Sequence, residues 1–272
     1  MRKGSLLSLS VLLLLTIFIA APVAADKVTE NLVSRVLESF DNPEDPEESE
    51  WPSSQWIVRG SKFATKVYDD EGNVIDQYPK SQFVEAWPDA LFGRNKENIP
   101  YKVLGVHGKF DRQGFNYVEF IPAVEGDDGA LIPRSMDDGN EITIPGRAKT
   151  VDLWVWGANF DYYMELHVRD FKGIVHVLNL GSIKHTGWKN LKVDLPTSIP
   201  QEGGYVSSGG YIKELKLVKL VMWTKPQERV DDFLIYIDQI KVLTDIFVSR
   251  FDGDNLADDD FIKETWASEG GN

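Results

Sequence analysis

From Tyr162 to Arg169 the chain alternates without a break: Tyr162, Met164, Leu166 and Val168 form one row, and Tyr163, Glu165, His167 and Arg169 the other. A period of two sends successive side chains to opposite faces of an extended backbone, so this segment is predicted as a strand with one buried face. Leu191, Val193 and Leu195 against Lys192 and Asp194 repeat the pattern. Short apolar or β-branched runs, bounded by Gly, Pro, Asn and Asp, recur across the chain: 55–59, 62–68, 74–78, 82–86, 102–106, 115–121, 141–144, 150–157, 174–180, 215–223 and 233–243. That many strands, with no βαβ spacing, predict an all-β sandwich of jelly-roll, galactose-binding-like type. Only minor helices are expected. One is a short helix before a strand within 26–40, where Val28, Leu32, Val36 and Leu37 have helical spacing; the other is a single turn over 88–93.

Composition narrows the function classes. The 272-residue chain carries 29 basic and 43 acidic side chains, a formal charge of −14. Nucleic-acid backbones and anionic membranes are held by clustered cations, so both are excluded as partners. With no cysteine, disulfides, thiol catalysis and cysteine-ligated metals are excluded too. Residues 1–25 read as a signal peptide: Arg2 and Lys3, an apolar run from Leu6 to Ala20, then the small-residue cleavage site Val23-Ala24-Ala25. The β-sandwich domain is placed at 26–251, with an acidic loop at 41–50 that carries six acids and two prolines. Residues 252–272, with seven acids and one lysine, are predicted as a solvated tail.

Two constellations stand out. In Val151–Gly157, Trp154 and Trp156 share a face opposite three aliphatic residues. Together with Tyr163, Glu165 and His167 of the following strand they would make an aromatic and hydrogen-bonding surface suited to a partner or a sugar. The ordinary alternative is burial of both indoles. Secondly, the segments around Asp41 and Asp238 are expected to meet as first and last strands, where the two carboxylates would suit a structural Ca²⁺. A carboxylate bonded to backbone is the plainer reading. The run from Asp252 to Asp258 fails the EF-hand pattern, with Ala257 where Gly is required. Gly105-Val106-His107-Gly108 reads as a tight turn or bulge rather than a phosphate loop. No hydrolase, P-loop, zincin or dinucleotide motif is present, so the chain reads as a non-enzyme with no cofactor beyond that calcium.

Several runs carry a resemblance. Trp56-Ile57-Val58-Arg59-Gly60-Ser61-Lys62-Phe63-Ala64, Tyr78-Pro79-Lys80 and the stretch from Gly105 to Tyr117, which includes Phe110-Asp111-Arg112-Gln113-Gly114-Phe115-Asn116, resemble the spirochaetal flagellar filament outer-layer (sheath) proteins of the FlaA type. Residues 148–157, Thr186-Gly187-Trp188-Lys189 and Tyr236-Ile237-Asp238-Gln239-Ile240 continue the likeness. The resemblance implies a periplasmic structural protein on the periplasmic flagellum. Its implied partners are flagellin-like core proteins, other sheath subunits and glycans on the core, and its implied role is in filament shape and motility. An exported carbohydrate-binding module and a glycoside-active enzyme are the competing readings, the latter requiring two carboxylates about 5–9.5 Å apart across a cleft.

Overall fold

The computed structural model describes residues 30–41, 51–91, 101–201, 213–246 and 266. The signal peptide, most of the acidic loop and all of the tail but Trp266 lie outside the described residues. Fifteen strands are described, in one compact unit beginning at Asn31. They are β1 (Leu32–Glu38), β2 (Gln55–Gly60), β3 (Lys66–Tyr68), β4 (Val74–Gln77), β5 (Lys80–Glu85), β6 (Lys102–Gly108), β7 (Tyr117–Glu125) and β8 (Leu131–Pro133). Then follow β9 (Ile142–Ile144), β10 (Arg147–Ala158), β11 (Tyr163–Arg169), β12 (Val175–Ser182), β13 (Thr186–Asp194), β14 (Leu215–Trp223) and β15 (Phe233–Asp245).

Two antiparallel sheets face each other. Sheet A runs β13-β10-β15-β6-β5, with β1 also pairing β15, and sheet B runs β12-β11-β14-β7-β2. Eight of these strands change sheet at every step in chain order except the β11–β12 hairpin, so that β6, β15, β10 and β13 lie in one sheet and β7, β14, β11 and β12 in the other. That is a jelly roll, two Greek keys wrapped into a sandwich, as the strand count and spacing predict.

The core lies between the sheets and is filled by the rows that alternation assigns inward. Val151, Leu153 and Val155 of β10 are fully buried, as are Met164, Leu166 and Val168 of β11. Each such side chain contributes about 1.5–3 kcal/mol relative to exposure. Two bulges keep the inward rows inward where the sequence changes phase. In β14, Leu215 and Leu217 are buried but so are Leu220 and Met222, because the pairing with β11 slips between His167 and Val168. In β15, Ile235 and Ile237 give way to Ile240 and Val242 across a slip opposite Asp152 and Trp154, with Gln239 at φ 44°.

Two local expectations are corrected. Residues 32–38 form strand β1 rather than a helix, because Leu32–Glu38 has β15 to pair with and the ladder satisfies its backbone groups. The Gly105–Gly108 run is neither turn nor bulge but lies inside β6. A Cβ on Gly108 would meet the Phe233 ring at 2.0 Å, and one on Gly105 the Tyr236 ring at 2.8 Å, so these glycines make room for aromatic side chains of β15. Leu131–Pro133 pairs with β7 as a further short strand at the edge of sheet B. Of the helical turn predicted over 88–93, residues 88–91 form a single turn closed by Leu91 N–H donating to the Pro88 carbonyl at 3.0 Å, and 92 and 93 lie outside the described residues.

Candidate functional site

The sequence-predicted surface divides in two. Trp154 and Trp156 project from the outer face of sheet A, while Tyr163, Glu165 and His167 project from the outer face of sheet B. The chain crosses from one sheet to the other between β10 and β11, so the five residues do not form one patch. What the structure builds instead is one aromatic row on each outer face.

On sheet B, Tyr163 of β11 stands opposite Trp223 of β14, which stands opposite Tyr117 of β7. The Tyr117 and Trp223 rings meet edge-on with centroids 5.3 Å apart. Trp223 Nε1–H donates to Glu165 Oε2 at 2.8 Å, and His167 Nε2 lies 3.3 Å from the same oxygen. One rung further, Lys219 pairs with Glu119, and Arg59 stands opposite Glu119 on β2. Burial pushes the His167 imidazole below its ordinary value, with the Glu165 hydrogen bond opposing, so the ring is neutral near pH 7. The Tyr163 phenol is raised by burial and then by the Glu165 charge. Glu165 is thus engaged in orienting its neighbours. The face is an aromatic strip bordered by matched charges, suited to packing against another surface.

On sheet A, the register places Trp188 of β13, Trp156 of β10, Tyr236 of β15, Gly105 of β6 and Gln82 of β5 on one lateral line. Trp156 and Tyr236 meet edge-to-face at 5.4 Å. Trp154 lies one rung away, between Asn190 and Asp238. Trp188, Tyr236, Tyr117 and Trp223 were missed because their strands join these rows only through long-range pairing.

The predicted meeting of first and last strands occurs: Glu38 of β1 pairs with Ile240 of β15. Asp41 is 4% exposed and Asp238 fully buried. Among the described residues no group of three or more His, Asp or Glu side chains is arranged to hold a metal. Nearby, the fully buried Glu38 accepts from Phe40 N–H at 2.9 Å and Ser54 N–H at 3.1 Å. Burial pushes its carboxyl up to about 7 against those hydrogen bonds.

The two runs that carry most of the sequence resemblance pack together at one end of the sandwich. Ser61 Oγ donates to Asn116 Oδ1 at 3.2 Å, Asp111 N–H to the Phe63 carbonyl at 2.9 Å, and the Arg112 guanidinium lies 3.4 Å from the Phe63 ring centre. The profile of the flagellar filament outer layer protein FlaA family matches residues 87–252. The chain belongs to that family. The match takes in every strand of the jelly roll and the Phe110–Tyr117 run, while the Arg59–Phe63 run lies before it. An outer layer-like flagellar filament protein of Brachyspira hyodysenteriae (strain ATCC 49526 / WA1) is 25% identical over 169 residues, 61% of this chain and 68% of the relative. Among solved structures, a carbohydrate-binding module of the β-sandwich superfamily aligns with TM-score 0.41 and 12% identity over 75% of this chain and 60% of its own. The family 11 module of a Clostridium thermocellum cellulosomal cellulase aligns with TM-score 0.36 and 9% identity over 82% and 99%. This chain's family is that of the outer layer of the flagellar filament.

Proposed function

We propose that the protein is exported through a cleaved signal peptide to the periplasm and coats periplasmic flagellar filaments, packing on a flagellin-like core beside other sheath subunits. The observation that carries this reading is the family match over 87–252, which spans the whole jelly roll. The outer face of sheet B supplies the core contact. Its row of Tyr163, Trp223 and Tyr117 is the kind of aromatic centre that dominates interface energy, and the Lys219–Glu119 pair lies at its edge.

A coat subunit repeats a modest contact along a helical lattice, so avidity rather than single-site affinity holds it in place. Like subunits in head-to-tail contact give open rows along the filament and bias its curvature, and thereby cell motility. The test is to isolate periplasmic flagella and follow this protein. It should co-fractionate with filaments, and filaments lacking it should be thinner and altered in curvature. Its absence from the filament fraction would overturn the reading. Tyr163→Ala combined with Lys219→Glu should reduce co-sedimentation with core filaments while the circular dichroism spectrum stays unchanged.

A further inference from the structure

We propose that the outer face of sheet A is a saccharide-binding strip, distinct from the core-packing face, that takes a short chain of pyranose units along the line from Trp188 to Gln82. Adjacent strands are about 4.8 Å apart, so this line across five strands is about 19 Å long. Three of its members are aromatic and half-buried, with their side chains held by the sheet. After Tyr236 the line drops onto Gly105. Because position 105 carries no side chain, the Tyr236 ring settles close to β6 and a cavity of about 210 Å³ opens beside it. That volume suits a single ring-sized group rather than a drug-sized ligand. Its walls are Lys80, Gln82, His107, Leu234 and Tyr236, with Gly105 as the floor.

The chemistry of the strip is what selects a sugar. A pyranose presents C–H faces that pack on aromatic rings and hydroxyl edges that need hydrogen-bonding groups beside those rings. Both are in place. Polar groups border the rings along the length of the strip: Asn190 Nδ2 donates to Asp152 Oδ1 at 2.7 Å near Trp154, and Lys241 lies 3.7 Å from the same carboxylate oxygen. At the cavity end, His107 Nε2 is 2.6 Å from Asp232 Oδ1 and meets the Tyr78 ring edge-on at 5.2 Å, so the imidazole is fixed before any ligand arrives. Lys80 is likewise held, by Asp76 and over the Tyr78 ring. A purely apolar partner would displace water from these amides, carboxylates and cations without replacing its hydrogen bonds. A neutral polyhydroxylated ligand satisfies them.

The ligand could come from glycans carried by the filament or from the glycan strands of the cell wall. The experiment uses the purified full mature protein without filaments, so that its outcome does not depend on the coat reading. Tryptophan fluorescence and calorimetry follow titration with four probes: β-1,4-linked galacto- and gluco-oligosaccharides, soluble peptidoglycan glycan strands, and oligosaccharides released from isolated filaments. Saturable binding of at least one is expected. Trp156→Ala and Tyr236→Ala should each weaken it about tenfold. Gly105→Val should abolish binding at the cavity. Gln82→Ala, on an exposed edge-strand position, should weaken binding with no change in melting temperature, which guards against a misfolded variant. Tyr163→Ala, on the opposite face, should leave it unchanged. Preference between the last two probes identifies the source. Absence of saturable binding for all four, or binding indifferent to Trp156→Ala, Tyr236→Ala and Gln82→Ala, would overturn the proposal.

Discussion

Trp223 Nε1–H donates to Glu165 Oε2 at 2.8 Å, across two strands paired in sheet B, and His167 approaches the same oxygen from two residues further along β11. One carboxylate oxygen therefore orients an indole and an imidazole on the face we propose meets the filament core. It also couples the protonation of His167 to the position of Trp223.

Replacing Glu165 by Gln should lower the His167 pKa further, because Glu165 opposes the burial that already holds it below its ordinary value. A folded-state value below the unfolded one means that the unfolded chain binds the proton more tightly. His167 therefore contributes its full stability above about pH 6.5, and that contribution is lost as pH falls from there through the folded value. Titration of the His167 ring by NMR in both proteins checks the order. An unchanged value in Glu165→Gln would show that the 3.3 Å approach carries no interaction. Trp223→Phe, which leaves the Glu165 oxygen without its donor, should cost about 1 kcal/mol in chemical denaturation.

Glu38 gives a stronger pH dependence. Its carboxyl is fully buried and burial raises it to about 7, so the folded protein holds the acid protonated where the unfolded chain is ionised. Stability from this group is complete below about pH 4.5 and declines as pH rises to about 7, by about 3 kcal/mol in total. The neighbouring Arg134 donates to Ser54 Oγ and to the Asn140 carbonyl and is itself lowered by burial, with Glu38 opposing that shift. Glu38→Gln keeps an acceptor for the Phe40 and Ser54 N–H groups but cannot ionise. Denaturation midpoints of the two proteins should agree near pH 4.5 and separate by pH 8, with Glu38→Gln the more stable.

Alternation along single strands told which residues point inward, and the buried rows of β10 and β11 follow it residue by residue. It could not tell which of two outer faces an outward residue occupies. Period two distinguishes only inside from outside, whereas a jelly roll has two outsides and most successive strands change sheet. Trp156 and Tyr163 are seven residues apart and on opposite faces, while Trp156 and Tyr236 are eighty apart and in ring contact. The partners that complete each row come from pairings between distant segments, which no local pattern encodes. The bulges at 218 and 239 likewise reverse the phase mid-strand, so extending the alternation through them assigns the wrong face.

The same long-range pairing explains Gly108. It lies within β6 with the Phe233 ring where a Cβ would be, at 2.0 Å, and Phe233 in turn stacks on Phe110 at 5.8 Å. Gly108→Ala should force this aromatic cluster to shift and cost about 1–3 kcal/mol, the usual range for overpacking. A melting temperature unchanged from wild type would mean that the ring has free space to move into.

Asp245 closes the sheet that carries the saccharide strip. It is fully buried at the end of β15, accepts from Arg147 Nη2 at 2.6 Å through one oxygen and from Asn31 N–H at 2.9 Å through the other. Ile246 N–H returns a bond to the Asn31 carbonyl at 2.9 Å. One carboxylate thus ties β1, β10 and β15 together where the first and last strands meet. Asp245→Ala removes the acceptor for both donors and leaves Arg147, partly exposed, with less of its charge compensated. A loss of about 2–3 kcal/mol is expected, discounted from the fully buried case because the guanidinium reaches solvent. Hydrogen exchange should show faster exchange in β1 than in β11, because β1 is held in sheet A through β15 alone. If exchange in β1 matched wild type, the Asp245 bonds would not be what holds that strand.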